Sequence, residues 1–293
     1  MSDMLRPRRS LLYMPGSNPR ALERGRSLPA DGLILDLEDA VASDAKQSAR
    51  AIVRAALAEG GYSALELILR VNSLDTPWGH ADFTAAATML IDAVLLPKVE
   101  SAERVRLSLS LLNALGAPEG LRLWCMLETP LGILYAREIA AASPRLCAFV
   151  LGTSDLAKDL HAVSTRDRLP LLTSAGLAIP AARAHGQAIL DGVHLDLSDD
   201  EGFAASYRQG RELGFDGKTL IHPKQIAAAN TAFAPSAEEV EWSRRVIATH
   251  AEAVAAGKGV VLLDGRLIEN LHVENARRIL VLAEEIDRLS AAR

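Results

Sequence analysis

Eight short apolar runs, each followed by an alanine-rich stretch with a helical pattern, constrain this chain more than any other feature. The runs occupy residues 10–14, 32–37, 65–71, 93–97, 121–127, 146–151, 188–194 and 218–221. Runs such as GLILDL and LELILRV are continuously apolar, which is typical of parallel strands covered on both faces. Eight such units in succession predict an α/β fold with a parallel sheet closed into a (β/α)8 TIM barrel.

An open, doubly wound sheet is the alternative arrangement of the same units. It usually carries a glycine-rich phosphate loop after an early strand, and neither G-x-G-x-x-G nor a P-loop occurs in this sequence. A length of 293 residues also suits one barrel with an extension. We therefore favour the closed barrel.

The pattern changes after the eighth strand. Ser236 and Glu239 form a capping box that begins a helix to about residue 255, and Asp264-Gly265 predicts a hairpin turn. A final amphipathic helix is predicted over about residues 272–289. We predict a catalytic barrel domain over residues 1–230 and a C-terminal helical and hairpin extension over residues 231–293. The extension either closes the barrel or packs on a neighbouring subunit, and we expect the latter.

Charge and hydropathy exclude several classes of protein. The formal net charge is -5, and no basic cluster suggests nucleic-acid binding. No apolar run reaches the roughly 18 residues of a membrane span, and the first residues lack the apolar stretch of a signal peptide. We expect a cytoplasmic protein with no membrane partner. Cys125 and Cys147 lie in apolar runs and are expected to be buried.

Acidic residues follow three of the predicted strands, at the barrel end where active sites form. Asp36, Glu38 and Asp39 end the second strand, Glu128 ends the fifth, and Asp155 follows the sixth. Each acid alone could cap a helix or form an ion pair, but a converging set needs protonation or a cation. Hard oxygen donors without nearby histidine or cysteine pairs indicate Mg2+, with Mn2+ as the alternative.

Basic residues lie near the same strand ends. Arg70 ends the third strand and could hold a substrate carboxylate, or pair with one of the acids, or do both. Lys98 ends the fourth strand and is predicted to bind substrate. The rival role for Lys98, Schiff-base formation with a ketone, is disfavoured because neighbouring acids raise the pKa of a lysine. Arg9 precedes the first strand, so it reaches the site only if its loop folds over.

Two histidines and one further lysine lie near strand ends. We predict that His194 ends the seventh strand and His222 the eighth, where each acts as a base or orders a loop. Lys218 begins the eighth strand, at the barrel end that usually serves stability.

The ordered motifs RSLLYMPGSNPR, GLILDLEDAV, LRVN, LLPKVE, LETP, LGTSDLA and GFDGKTLIHPKQI resemble the HpcH/HpaI aldolase and citrate lyase β-subunit family, specifically its CitE-like branch. The resemblance runs from Arg9 to about Ile226. It implies a (β/α)8 barrel in a homotrimer or homohexamer.

The resemblance also implies roles for individual residues. Glu128 and Asp155 are expected to bind Mg2+, and Arg70 to contact substrate. Glu38 and Asp39 would support the metal-bound waters, and the region of Arg9 and Lys46 would help to hold a thioester.

The C-terminal hairpin departs from the pattern of malyl-CoA lyase relatives. Those relatives place an aspartate in a neighbouring subunit's site, whereas DGRLIEN places Glu269 there. The extra methylene moves the carboxylate by about an ångström, enough to weaken catalysis. Glu269 is therefore expected to be either a working acid/base or a sign of a different substrate.

The function implied is Mg2+-dependent carbon-carbon bond cleavage or formation in a 3-hydroxyacyl-CoA thioester. Malyl-CoA or citramalyl-CoA would give an acyl-CoA and a 2-oxoacid. Three alternatives stay open: a metal-dependent aldolase acting on free 2-oxo acids, a citryl-cleaving lyase subunit with an acyl-carrier partner, and a non-catalytic protein that binds a CoA thioester.

Overall fold

The computed structural model describes residues 6 to 292, and its centre is a closed barrel of eight parallel strands. The barrel strands are β1 (Ser10–Pro15), β2 (Gly32–Asp36), β3 (Glu66–Arg70), β4 (Ala93–Leu96), β5 (Arg122–Leu127), β6 (Leu146–Leu151), β7 (Ala188–Asp191) and β8 (Gly217–Leu220). Each strand pairs in parallel with the next, and β8 pairs with β1. The predicted (β/α)8 barrel is confirmed.

Helices follow the strands along the chain. They are α1 (Pro19–Gly25), α2 (Lys46–Glu59), α3 (Gly79–Ala86), α4 (Ala102–Ala114), α5 (Pro130–Leu134), α6 (Ala136–Ala140), α7 (Thr153–Asp159), α8 (Leu172–Ala184), α9 (Asp200–Leu213), α10 (Ile226–Ala232), α11 (Ala237–Ala255) and α12 (Asn270–Ala292). Short 3-10 turns occupy Ser43–Ala45, Leu169–Leu171 and Pro223–Gln225. Side-chain oxygens that accept backbone N–H bonds begin several of these helices, as Ser101 does for α4 and Ser236 for α11.

Alternation along each strand divides the apolar residues between two cores. Every second side chain points into the barrel, where Leu11, Ile34, Ile68 and Trp124 pack together. The intervening side chains, such as Leu33, pack against the surrounding helices in a larger core. Both faces of the sheet are therefore buried, which is why the strands are continuously apolar in the sequence.

The predicted strand ends are close to the observed ones, with two corrections in the last units. β7 ends at Asp191, so His194 lies in the loop beyond it and does not end the strand. β8 ends at Leu220, and His222 instead caps the following 3-10 turn by accepting a bond from the Lys224 backbone N–H at 3.1 Å. The last residue pair of β7 with β8 is Asp191 with Lys218, and the last pair of β8 with β1 is Leu220 with Leu12, so both histidines lie beyond the ladders of their strands.

A buried ion cluster lies between the barrel and its helices at β7 and β8. Asp191 accepts bonds from Lys218 Nζ at 2.7 Å and from Arg168 Nη1 at 2.7 and 2.8 Å. Burial disfavours the charge on Asp191, but the two cations outweigh it and hold the pKa of that carboxyl below its usual value. Lys218 is 1% exposed, so it stabilises the fold as predicted for that end of the strand.

The remaining residues form a separate compact unit. Contacts divide the described chain into residues 8–233 and residues 234–292 with Arg6 and Pro7. The second unit contains α11, the hairpin of β9 (Val261–Leu263) and β10 (Arg266–Ile268), and α12. The hairpin turns at Asp264-Gly265 as the sequence predicts. The domain boundary between residues 230 and 231, and the packing of this unit on another subunit, stay predictions.

No helix within residues 6 to 292 combines the length and the apolar character that crossing a bilayer requires.

Replacing Asp191 with alanine should lower the free energy of unfolding by about 3 to 5 kcal/mol, because Lys218 would be left buried without its counter-charge. Asp200→Ala, at an exposed position, is the control and should change it by less than about 0.5 kcal/mol. Because the pKa of Asp191 is lowered, its contribution is present above the unfolded-state pKa of about 4 and is lost only at lower pH. Denaturant titrations at pH 5 and pH 8 should therefore show the deficit at both, and an unchanged stability would contradict the assignment.

Candidate active site

A cavity of about 350 Å³ opens at the carboxyl ends of the barrel strands. Its walls come from β1, β2, β3, β5, β6 and the loops after β7 and β8. The lining residues are Tyr13, Asp36, Asp39, Ala40, Arg70, Met126, Glu128, Val150, Leu151, Gly152, Thr153, Ser154, Asp155, Val193, Leu195, Thr219 and Ile221. The predicted acids Asp39, Glu128 and Asp155 and the predicted base Arg70 therefore share one cavity.

The Arg70 guanidinium is held by a buried, two-pronged ion pair. Its Nε and Nη2 donate to the two Asp36 carboxylate oxygens at 2.7 and 2.5 Å. Asp36 is fully buried and also accepts the backbone N–H groups of Glu38 and Ala40 at 2.8 and 3.1 Å. Asp36 thus fixes both Arg70 and the turn that follows β2.

The remaining terminal nitrogen of Arg70 faces the acids that follow β2. Its Nη1 lies 2.8 Å from Glu38 Oε2 and 3.4 Å from Asp39 Oδ2. The ring of Tyr13 lies 4.8 Å from the guanidinium carbon, which adds a cation-π contact. Arg70 therefore forms the predicted ion pairs and still borders the cavity.

Glu128 is 2% exposed, and the backbone around it is shaped to its side chain. A Cβ added at Gly152 would lie 2.6 Å from Glu128 Oε2, so only glycine allows the end of β6 to pass so close. Lys98 adopts a left-handed φ of 50° and donates its backbone N–H to Glu128 Oε1 at 2.8 Å. Burial raises the pKa of the Glu128 carboxyl to about 7.

The Lys98 ammonium joins acids from two strands. Its Nζ lies 2.9 Å from Glu38 Oε1 and 3.3 Å from Asp155 Oδ2. Burial lowers the pKa of Lys98, but the bond to Glu38 and the charge of Glu128 outweigh it and raise the pKa well above its usual value. Such a lysine stays protonated, which weighs against a Schiff-base mechanism.

The donor set at this opening fits a hard divalent cation. Glu128 and Asp155 both line the cavity, and Lys98 contacts both through its backbone N–H and its ammonium. No group of three or more histidine, cysteine or acidic residues arranged to hold a metal occurs within residues 6 to 292. Mg2+ commonly takes only one or two protein carboxylates and fills its octahedron with water and substrate oxygens. A buried carboxylate with a raised pKa is the kind of group that a cation stabilises.

Arg9 does not reach this cavity. It precedes β1 at the opposite end of the barrel, where its guanidinium donates to both carboxylate oxygens of Asp31 at 2.8 Å. The prediction that Arg9 binds substrate is therefore corrected, because its donors join the amino ends of β1 and β2.

Lys46 does not line the cavity. Lys46 is 6% exposed and directs its ammonium at the backbone of Leu37 and Glu38, at 2.8 and 2.7 Å. Glu269 follows β10 in the second unit, where its backbone N–H donates to His272 Nδ1 at 3.1 Å. The proposed acid/base role of Glu269 stays a prediction.

The mouth is chemically divided. The charged residues Asp36, Asp39, Arg70 and Glu128 belong to or follow β2, β3 and β5, and Asp155 follows β6, whereas the apolar residues Val150, Val193, Leu195 and Ile221 come from β6 and from the loops after β7 and β8. A ligand with a carboxylate or hydroxyl at one end and a carbon chain at the other suits such a cavity.

Sequence reasoning missed several residues of the cavity, of which Tyr13 and Met126 contact the predicted site. The Tyr13 hydroxyl and Arg70 Nη1 each lie 3.8 Å from Met126 Sδ. Tyr13 could have been found, because it is the polar aromatic residue near the end of the apolar run SLLYMP. Met126 gave no such signal, since it reads as one more apolar strand residue.

Known proteins resemble the chain over its full length. The family model described as HpcH/HpaI aldolase/citrate lyase matches residues 9–223. A protein named (3S)-malyl-CoA thioesterase from Cereibacter sphaeroides strain ATCC 17025 is 47% identical over 292 residues, with 100% of both chains covered. Citrate lyase subunit beta of Escherichia coli strain K12 is 37% identical over 284 residues, covering 95% of this chain and 94% of the relative.

Solved structures agree with these relatives. The CitE protein of Mycobacterium tuberculosis, in complex with magnesium, acetoacetate and coenzyme A, superposes with a TM-score of 0.77 at 30% identity. That match covers 94% of this chain and 97% of the CitE chain. RipC from Yersinia pestis matches with a TM-score of 0.68 at 31% identity, over 81% of this chain and 99% of RipC.

Arg70→Met should destabilise the protein by about 3 to 5 kcal/mol, because Asp36 would remain buried and charged without a partner. Adding Asp36→Asn should recover part of that loss, since the uncompensated charge disappears. Chemical denaturation of the two single variants and the double variant measures this coupling. Additive losses would show that the pair does not act as a unit.

Proposed function

The chain belongs to the HpcH/HpaI aldolase/citrate lyase family of lyase-type enzymes, and from this premise we propose that it cleaves the carbon-carbon bond of a 3-hydroxyacyl-CoA thioester with the help of Mg2+. Malyl-CoA is the leading substrate and citramalyl-CoA the next. The products are an acyl-CoA and a 2-oxoacid, and the reverse condensation uses the same site.

One observation carries this proposal: Glu128, Asp155 and Arg70 border a single cavity at the carboxyl ends of the strands. Two carboxylates and a guanidinium suit a hydroxy acid as ligand. Its oxygens can bind a cation that the carboxylates also hold, and its negative charge can pair with the arginine. The CitE structure with magnesium and coenzyme A supports the same ligand class. We propose Glu128 and Asp155 as the metal ligands, with Mn2+ as a substitute.

Bound Mg2+ would supply Lewis-acid stabilisation of negative charge on the substrate oxygens. Arg70 Nη1, already facing the cavity acids, holds the substrate carboxylate, and protonated Lys98 keeps Glu38 and Asp155 from repelling each other. An acid of the loop after β2, Glu38 or Asp39, takes the hydroxyl proton.

Cleavage follows from loss of that proton. The hydroxyl oxygen becomes the carbonyl of the departing 2-oxoacid, and the electron pair of the broken carbon-carbon bond passes to the thioester as an enolate. Protonation of the enolate carbon, which we assign to Glu269 of a neighbouring chain in a trimer or hexamer, completes the acyl-CoA. Light scattering coupled to size exclusion tests the assembly.

Hydrolysis of the same thioester is the second candidate function. The relative named (3S)-malyl-CoA thioesterase, 47% identical over the whole chain, favours it. Hydrolysis requires the hydroxy acid to be bound in the same way. Water then attacks the thioester carbonyl, and the carbon-carbon bond stays intact.

Product analysis with (3S)-malyl-CoA and Mg2+ separates the candidates. We expect acetyl-CoA and glyoxylate in equal amounts, detected by mass spectrometry, because the site aligns the hydroxyl and carboxylate for cleavage. Malate with free CoA, and no glyoxylate, would establish hydrolysis instead. Turnover only of free hydroxy-oxo acids, or only of a carrier-bound citryl group, would select the aldolase or the citrate lyase subunit. CoA-thioester binding without any product would indicate a non-catalytic protein.

Chelation tests the metal. EDTA should abolish turnover and Mg2+ should restore it, because the cavity acids otherwise lack a cation to share with substrate. Glu128→Gln and Asp155→Asn should each lower kcat/KM by about 10²-fold or more. The matched control is Asp159→Asn, which alters a carboxylate of α7 that does not line the cavity. Full turnover in EDTA would exclude a metal-dependent reaction.

A further inference from the structure

A cluster of buried polar side chains lies behind the acidic loop, residues 37–40, which carries Glu38 and the cavity-lining Asp39. Lys46 Nζ, at the first residue of α2, donates three hydrogen bonds. Two reach backbone carbonyls of the loop, Leu37 O at 2.8 Å and Glu38 O at 2.7 Å. The third reaches Asn72 Oδ1 at 2.9 Å. The ammonium therefore holds the loop by its main chain.

No donor of Lys46 is left for a ligand. An ammonium has three N–H groups, and all three are directed at protein oxygens. The residue is 6% exposed, and the ring of Trp78 lies 5.2 Å from Nζ. Lys46 is also absent from the cavity wall. A thioester could reach this ammonium only by breaking the bonds that hold the acidic loop.

Asn72 connects the ammonium to a second helix. Its Nδ2 donates to Leu37 O at 2.8 Å and to Asp82 Oδ2 at 2.6 Å. Its backbone N–H also donates to Asp82 Oδ2, at 2.8 Å. Asp82 is fully buried in α3 and accepts a further bond from Arg50 at 2.7 Å. The acidic loop is thus tied to α2 through Lys46 and to α3 through Asn72 and Asp82.

We propose that Lys46 and Asn72 are positioning residues: they hold the acidic loop from behind so that Glu38 and Asp39 stay at the mouth, and Lys46 does not bind the thioester. The loop is held at Glu38 from both sides. Glu38 lies 2.8 Å from Arg70 and 2.9 Å from Lys98 on the cavity side, while the carbonyls of Leu37 and Glu38 are held on the opposite side.

The test compares Lys46→Met and Lys46→Gln with the control Arg54→Met. Arg54 is an exposed residue of the same helix whose guanidinium donates to Ala85 O, so the control removes the same charge away from the loop. With malyl-CoA, a positioning role predicts a loss in kcat of about 10²-fold in Lys46→Met, with KM changed less than about threefold. A rise in KM at unchanged kcat would instead make Lys46 a thioester ligand and overturn the proposal.

Hydrogen exchange provides a readout that does not depend on turnover. The amides of residues 38–41 should exchange faster in Lys46→Met than in the wild-type protein and in Arg54→Met, while the β2 amides stay protected. The exchange rates of these amides in Lys46→Gln, which keeps two N–H donors, should lie between those in Lys46→Met and those in the wild-type protein.

The kinetic part of this inference rests on the proposed function, and the exchange part does not. If the wild-type protein turned over no thioester, the proposed function would be contradicted. The exchange rates would still decide the role of Lys46. Unchanged exchange in residues 38–41 would overturn the positioning role even if turnover is confirmed. Unfolding of both lysine variants would also overturn it, because Lys46 would then support the whole fold and not this loop.

Discussion

Mutual repulsion among carboxylates at one end of the barrel is the constraint on which the rest of the site depends. Parallel strands bring all their carboxyl ends to one rim, so acids that are far apart in the sequence converge there. The protein balances them with two cations of different kinds. Arg70 is fixed in a buried pair with Asp36, whereas Lys98 extends between Glu38, which follows β2, and Asp155, which follows β6. Burial raises the pKa of the Glu128 carboxyl, so a further positive charge beside it would stabilise its ionised form.

The two ends of the barrel use buried charge differently. At the amino ends, Arg8 and Arg9 form two-pronged pairs with Glu66 and Asp31, and these pairs join the start of β1 to the starts of β3 and β2. At the carboxyl ends, the Arg70 guanidinium pairs with Asp36 and yet borders an open cavity. Similar residues thus serve the fold at one rim and chemistry at the other. The difference is that the residues of the second rim border the cavity.

Much of the fold and part of the site follow from sequence because they depend on local patterns. Continuous apolar runs identify the eight strands, and an acid directly after a run, such as Glu128, must lie at the rim.

The partners that buried charges find far along the chain cannot be predicted from such local patterns. Nothing near Lys46 shows that its ammonium meets carbonyls of the β2 loop, and nothing near Asp191 predicts Arg168 and Lys218 together. His194 was misplaced because an apolar residue, Val193, extends the run past the last ladder pair of β7. Roles taken from the family resemblance were weakest where the residue, like Arg9, lies at a strand's amino end.

The proposed chemistry requires one divalent ion that Glu128 and Asp155 both bind. Its most direct test is a titration of the purified protein with Mn2+, followed by electron paramagnetic resonance, with Mg2+ as competitor. We predict one site per chain in the wild-type protein and in Asp159→Asn, displaced by Mg2+, and a loss of affinity of at least about tenfold in Glu128→Gln and in Asp155→Asn. Equal Mn2+ binding in all four proteins, or none in the wild type, would contradict it.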